Sequence, residues 1–80
     1  MSRPDRGAVW RRLGAPSEQI GSANEPRERV ENGVRFNEKW IHRDRDGRVE
    51  RIVLWDRYDL VGIFRVDDAG GLHPEAIPEA

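Results

Sequence analysis

The chain contains no cysteine, which excludes a disulfide framework, thiolate zinc sites and thiol catalysis, and sets the expectation of a cytoplasmic protein. It also has no long apolar run. The longest unbroken one, residues 52–55, is far below the roughly 20 residues of a membrane helix, and the basic N-terminus has no apolar stretch behind it. A soluble, non-exported protein is the expectation. Nor is there a surplus of charge: 14 basic side chains stand against 15 acidic ones. A dedicated DNA binder needs an excess of Lys and Arg to displace phosphate counterions, so this balance argues against one. There is no glycine-rich phosphate loop, no nucleophile elbow and no internal repeat; the three serines, Ser2, Ser17 and Ser22, fall in the part that reads as flexible. No motif fixes a reaction, a cofactor or a metal.

What the chain does have is concentrated between residues 34 and 66, where three apolar segments are separated by two short polar breaks. At 80 residues it forms one domain and buries roughly 60 to 65% of the surface its unfolded form exposes. A core that thin supplies only about 3 to 5 kcal/mol, so small domains of this kind draw further stability from a partner or a second copy. Charge is unevenly spread. Residues 1–24 carry a surplus of two positive charges and the last fourteen a surplus of four negative ones, as expected for solvated ends.

In chain order, residues 1–6 read as a disordered lead-in, and Ala8, Val9, Trp10 and Leu13 predict a short helix over 7–13, with Gly14 at its C-terminal cap. Gly14, Pro16, Gly21, Asn24 and Pro26 mark residues 14–26 as a loop, with Ile20 as its one apolar anchor. Residues 1–26 thus form a flexible N-terminal segment with a short helix.

Asn32-Gly33 signals a hairpin in one of two registers. A two-residue loop pairs Glu31 with Val34, and a three-residue loop pairs Val30 with Val34. The second is preferred because it keeps Val30, Val34 and Phe36 on one face. The next strand alternates, with Val34, Phe36, Glu38, Trp40 and His42 on one side. Asp46-Gly47 makes the following turn.

The last two strands are apolar on both faces. If Arg57-Tyr58 closes a tight turn, Trp55 pairs with Leu60. Val53, Trp55, Leu60, Gly62, Phe64 and Val66 then share one face, and Ile52, Leu54, Val61 and Ile63 the other. One sheet cannot bury two faces alone. The helix with Trp10 and Leu13 supplies one cover and Leu72 or Ile77 some of the other, leaving a second subunit or partner as the natural remedy. A sheet curled toward a small barrel, bent at Gly62, is the alternative. After Val66 an acidic, mostly extended tail is expected over 68–80.

The predicted fold is therefore mainly β: a four-stranded antiparallel meander over about 27–31, 34–43, 48–55 and 60–66 within a domain spanning 27–67, with one short N-terminal helix.

Clusters that bear chemistry are sparse. His42, Asp44 and Asp46 lack the further acids and helical flanks of a calcium loop, so Asp and Gly here read as turn residues. His42 and His73 have no third ligand at a useful spacing, and Asp56 and Asp59 beside Tyr58 read as turn caps.

The sharper feature is a mixture of aromatic and cationic side chains on the sheet. Phe36, Trp40, Arg51, Trp55, Arg57 and Tyr58 are candidates to bind a partner, since Trp, Tyr and Arg dominate interface hot spots. The same types stack and pair with single-stranded RNA, against which the interleaved Glu28, Glu31, Glu38 and Glu50 weigh. Small ribosome-dependent mRNA endonucleases are similarly short, but this chain lacks their long helical hairpin and strong positive charge, so no residue carries over.

The expected function is a non-catalytic protein-interaction module that binds a partner or itself, as a homodimer, through an apolar sheet face or edge. No cofactor, metal or membrane is involved. A single-stranded RNA-binding sheet and a small ribonuclease-like enzyme using His42 are the alternatives.

Overall fold

The computed structural model describes residues 5–76. Residues 1–4 of the expected lead-in and 77–80 of the tail, including Ile77, lie outside this range. Helix α1 (Arg6–Leu13) is followed by seven strands, β1 (Glu18–Gly21), β2 (Arg29–Glu31), β3 (Val34–Phe36), β4 (Glu38–Arg43), β5 (Val49–Asp56), β6 (Asp59–Val66) and β7 (Leu72–Pro74). The protein is mainly β with one short helix, as its turn spacing predicts.

The expected four-stranded meander is replaced by two sheets. One has five antiparallel strands in the order β1-β4-β5-β6-β7, and the other is the separate β2–β3 hairpin. The five-stranded sheet ends in two distinct edges and is no closed barrel. Within residues 14–26, which read as a loop, β1 pairs with β4 by setting Ile20 opposite Lys39. Among the described residues no helix is long and apolar enough to cross a membrane.

Two local events produce this arrangement. The first is a bend at Asn37, which cuts the expected strand 34–43 in two. Its backbone N–H donates to Trp55 O at 2.9 Å, and its side chain leaves the strand: Nδ2 donates to Ala23 O at 3.4 Å and Glu25 O at 3.2 Å, while Oδ1 accepts from Arg57 N at 2.8 Å. Phe36 and Trp40, placed on one face by simple alternation, consequently lie in different cores.

The second is a bulge in β6. Trp55 pairs with Leu60 as expected, but Leu54 pairs with Gly62, so Val61 has no opposite residue. One extra residue reverses the side-chain parity beyond it. Ile63 therefore joins Val9, Trp40, Val53, Trp55 and Leu60 in one core, and Phe64 joins Phe36 and Leu54 in the other. The Phe64 ring also explains Gly62: a Cβ there would stand 3.0 Å from Phe64 Cε2. The glycine accommodates a ring rather than a barrel bend.

Each apolar face finds a cover within the chain. α1 packs Val9 and Leu13 on the Trp40 side. Asp5, from the expected lead-in, caps it by accepting from Ala8 N at 2.7 Å. Gly14 closes its other end at φ 84°, with its N–H on Trp10 O at 2.7 Å. The β2–β3 hairpin covers the other side with Phe36 and Val34, and Leu72 of β7 packs there too.

The hairpin pairs Glu31 with Val34 across Asn32 and Gly33, at φ 53° and 76°. This is the two-residue turn with both central residues left-handed, not the preferred three-residue loop. Turn chemistry set the register because Val30, 63% exposed, has no apolar face to follow.

Candidate interaction surface

Glu38 and Trp40 are two residues apart on β4 and so share a face, while Trp55 is the cross-strand partner of Glu38. These three side chains meet over the centre of the sheet, beneath the first turn of α1. Arg6 reaches down from that turn. Its Nη1 and Nη2 donate to the two Glu38 carboxylate oxygens at 2.5 and 2.7 Å. Its guanidinium carbon lies 5.2 Å from the Trp40 ring centroid and 5.3 Å from that of Trp55. Trp40 Nε1 donates to Glu38 Oε2 at 2.8 Å.

The Glu38 side chain is only 2% exposed against 28% for Arg6. A buried carboxylate costs several kcal/mol of desolvation, and here a bidentate guanidinium and an indole N–H offset that cost, while the two π faces hold the guanidinium. Trp55 Nε1 is buried with no hydrogen-bond partner, so Trp55 serves this box through its ring face. Trp10 stands edge-on to Trp40, with centroids 5.5 Å apart at 88°, and is 39% exposed.

The six partner-binding candidates are dispersed. Trp40 and Trp55 come together, with centroids 5.0 Å apart, but both are buried. Phe36 is buried on the opposite side of the sheet, where Lys39 Nζ lies 5.5 Å from its ring centroid. None of these three rings is presented for a base to stack on.

Tyr58 is 69% exposed at the β5–β6 turn. Its neighbour Arg57 takes φ 58° and donates from Nη1 to Ala23 O at 3.1 Å. Arg51 is half-buried, and its Nε donates to Glu75 Oε1 at 3.0 Å. Residue typing missed Arg6, Trp10 and Asn37. It did place Glu38 on the Trp40 face, and an acid in an apolar alternation signals a buried charge seeking a partner.

The histidines lie in one cross-strand row, His42–Arg51–Arg65–His73. Burial holds the His42 pKa below its ordinary value, the Arg51 charge adds to this and Glu50 opposes it; Nε2 is buried without a hydrogen-bond partner. His73 Nε2 lies 2.6 Å from Asp67 Oδ2. That bond, together with the Gly71 and Ala69 N–H groups, lowers the Asp67 pKa.

Asp44 accepts from Asp46 N and Arg48 N at 2.9 and 3.0 Å, which closes its turn as its sequence predicts. A cavity of about 590 Å³ opens between this turn and that of Asp67, with Arg48, Glu50, Arg51 and Arg65 in its wall. Charges of both signs line it. Among the described residues no group of three or more His, Cys, Asp or Glu is placed to hold a metal ion.

The two sheet edges differ. β7 is three residues long and ends at Pro74, which has no N–H to offer. β1 has four residues, Glu-Gln-Ile-Gly, with neither proline nor lysine, and no strand pairs with its outer side among the described residues. Trp40, opposite Gln19 of β1, carries the half-exposed Trp10 above it. Comparison of the chain with protein-family models, with curated proteins and with solved structures finds no match.

Proposed function

We propose that this chain is a non-catalytic protein-interaction module that works through the β1 edge of its five-stranded sheet. The observation that carries this reading is the contrast between edges: β7 is blunted by Pro74, and β1 is open. An unpaired edge is a template for one more strand. The apolar faces are less suited to that role, because α1 and the β2–β3 hairpin already cover them.

The strand that fits β1 best is β1 of a second copy. Antiparallel pairing about a two-fold axis at Ile20 sets Ile20 opposite its own copy and Gln19 opposite Gly21. No like charges then face each other, and the two sheets continue as one. Trp10, held edge-on by Trp40 and flanked by the exposed Arg11 and Arg12, is an anchor of the type that dominates interfaces.

Light scattering across the gel-filtration peak tests this. A dimer that becomes a folded monomer with Ile20→Lys supports the proposal. A wild-type chain that stays monomeric at high concentration, or a dimer indifferent to Ile20→Lys, rejects it.

A further inference from the structure

The box beneath α1 has the composition of a binding site whose occupant belongs to the same chain. Its floor is a carboxylate with almost no exposure, oriented by the N–H of Trp40, and its walls are the rings of Trp40 and Trp55. The carboxylate accepts two parallel N–H bonds from one guanidinium. A planar fork gives each oxygen its own parallel N–H while its flat surface lies against the π faces; an ammonium is a compact point charge that cannot present two parallel N–H bonds or stack flat. The mouth of the box is where Arg6 itself is accessible, since its side chain is 28% exposed while Glu38 beneath it is sealed.

The tether is slight. α1 has eight residues, and among them only Val9 is fully buried. A helix that short does not persist in water by itself, so its docking and its formation are one event.

We infer that Glu38, Trp40 and Trp55 form a guanidinium receptor, selective for arginine over lysine, which Arg6 fills as a tethered ligand and which takes an arginine side chain of another polypeptide when α1 lifts away. The site lies on the α1 face of the sheet rather than along the β1 edge, and its occupancy by arginine is read in the single chain, without the dimer. In the intact chain an incoming arginine competes with one that is covalently attached, and the effective concentration of the tethered group sets how strongly the box is guarded.

The test empties the box and offers it a substitute. Arg6→Ala in the full chain is titrated with N-acetyl-arginine amide or N-acetyl-lysine amide, following tryptophan emission and urea stability. The arginine probe is expected to saturate the variant and, at ten times its Kd, to raise the folding constant about elevenfold. The lysine probe should do neither. Glu38→Gln placed on Arg6→Ala should abolish the response.

If Arg6→Ala is unfolded, recovery of native emission with the arginine probe alone is the supporting result, and no recovery with either probe overturns the inference. Equal responses to the two probes also overturn it. A third variant, Arg6→Lys, keeps the charge and loses the fork, so stability equal to wild type would refute guanidinium selectivity.

Discussion

Replacing Arg6 by alanine should be among the most damaging single changes available on the surface of this protein, although more than a quarter of its side chain meets solvent. The substitution leaves Glu38 buried with only the Trp40 N–H as a partner. Removing one member of a buried pair costs about 3 to 5 kcal/mol, and the partial exposure of Arg6 places this case near the lower end, at about 3 kcal/mol.

Against the roughly 3 to 5 kcal/mol that a core this thin supplies, that is more than half. The corresponding drop in Tm is roughly 12 to 24 °C. Glu38→Gln keeps the volume and an acceptor for Trp40, and Arg6 can turn to water, so it should cost only about 1 to 2 kcal/mol. The two together should cost less than their sum by at least about 1 kcal/mol, because the second change removes the orphaned charge left by the first. Urea unfolding of the four chains, followed by tryptophan emission and circular dichroism, measures the cycle. Additivity within about 0.5 kcal/mol would refute the argument that the pair acts as a unit.

Three further outcomes are expected. His42 has a lowered pKa in the folded state, so the unfolded chain binds its proton more readily; stability should fall as pH drops below about 6.5, level off below the folded pKa, and be insensitive to this group above about 7. His42→Phe should flatten that fall in urea midpoints between pH 7.5 and 5.5, and an unchanged slope would show that His42 is not its source. Gly21→Ala should cost about 2 kcal/mol or more, since φ is 78° and the new Cβ would stand 2.2 Å from Asn37 O; thermal unfolding within a degree of wild type would contradict this. Asn37→Ala strips partners from Arg57 N and Glu25 O, while Ala23 O keeps Arg57 Nη1, and should cost about 2 to 3 kcal/mol, with hydrogen exchange accelerating at Arg57 ahead of the sheet centre.

The central hairpins were readable because their signals are local. Asn32-Gly33, Asp46-Gly47 and the Arg57-Tyr58 turn each sit where the chain reverses, and strands 48–55 and 60–66 match β5 and β6 closely. β1 and β7 were not readable. Glu-Gln-Ile-Gly and Leu-His-Pro carry one apolar residue each and become strands only because β4 and β6 offer them an edge.

Parity failed for a different reason. The bend at Asn37 and the bulge at Val61 each put one residue out of phase, and the hydrogen bonds that fix the Asn37 bend come from Glu25 and Arg57, distant in sequence. The Arg6 box was hidden likewise: alternation put Glu38 beside Trp40, but Arg6 lies 32 residues away and read as lead-in.

Both covers, α1 and the β2–β3 hairpin, precede in sequence the β5 and β6 strands whose faces they shield. During synthesis, at roughly 5 to 20 residues per second, the thirty residues that follow Phe36, through Val66, emerge over roughly 2 to 6 seconds. For that interval the nascent chain displays two lids without the β5 and β6 faces that complete their cores. Val9, Phe36 and Trp40 are then open to whatever greets the chain at the ribosome exit, and the arrival of β6 completes the two cores that bury them.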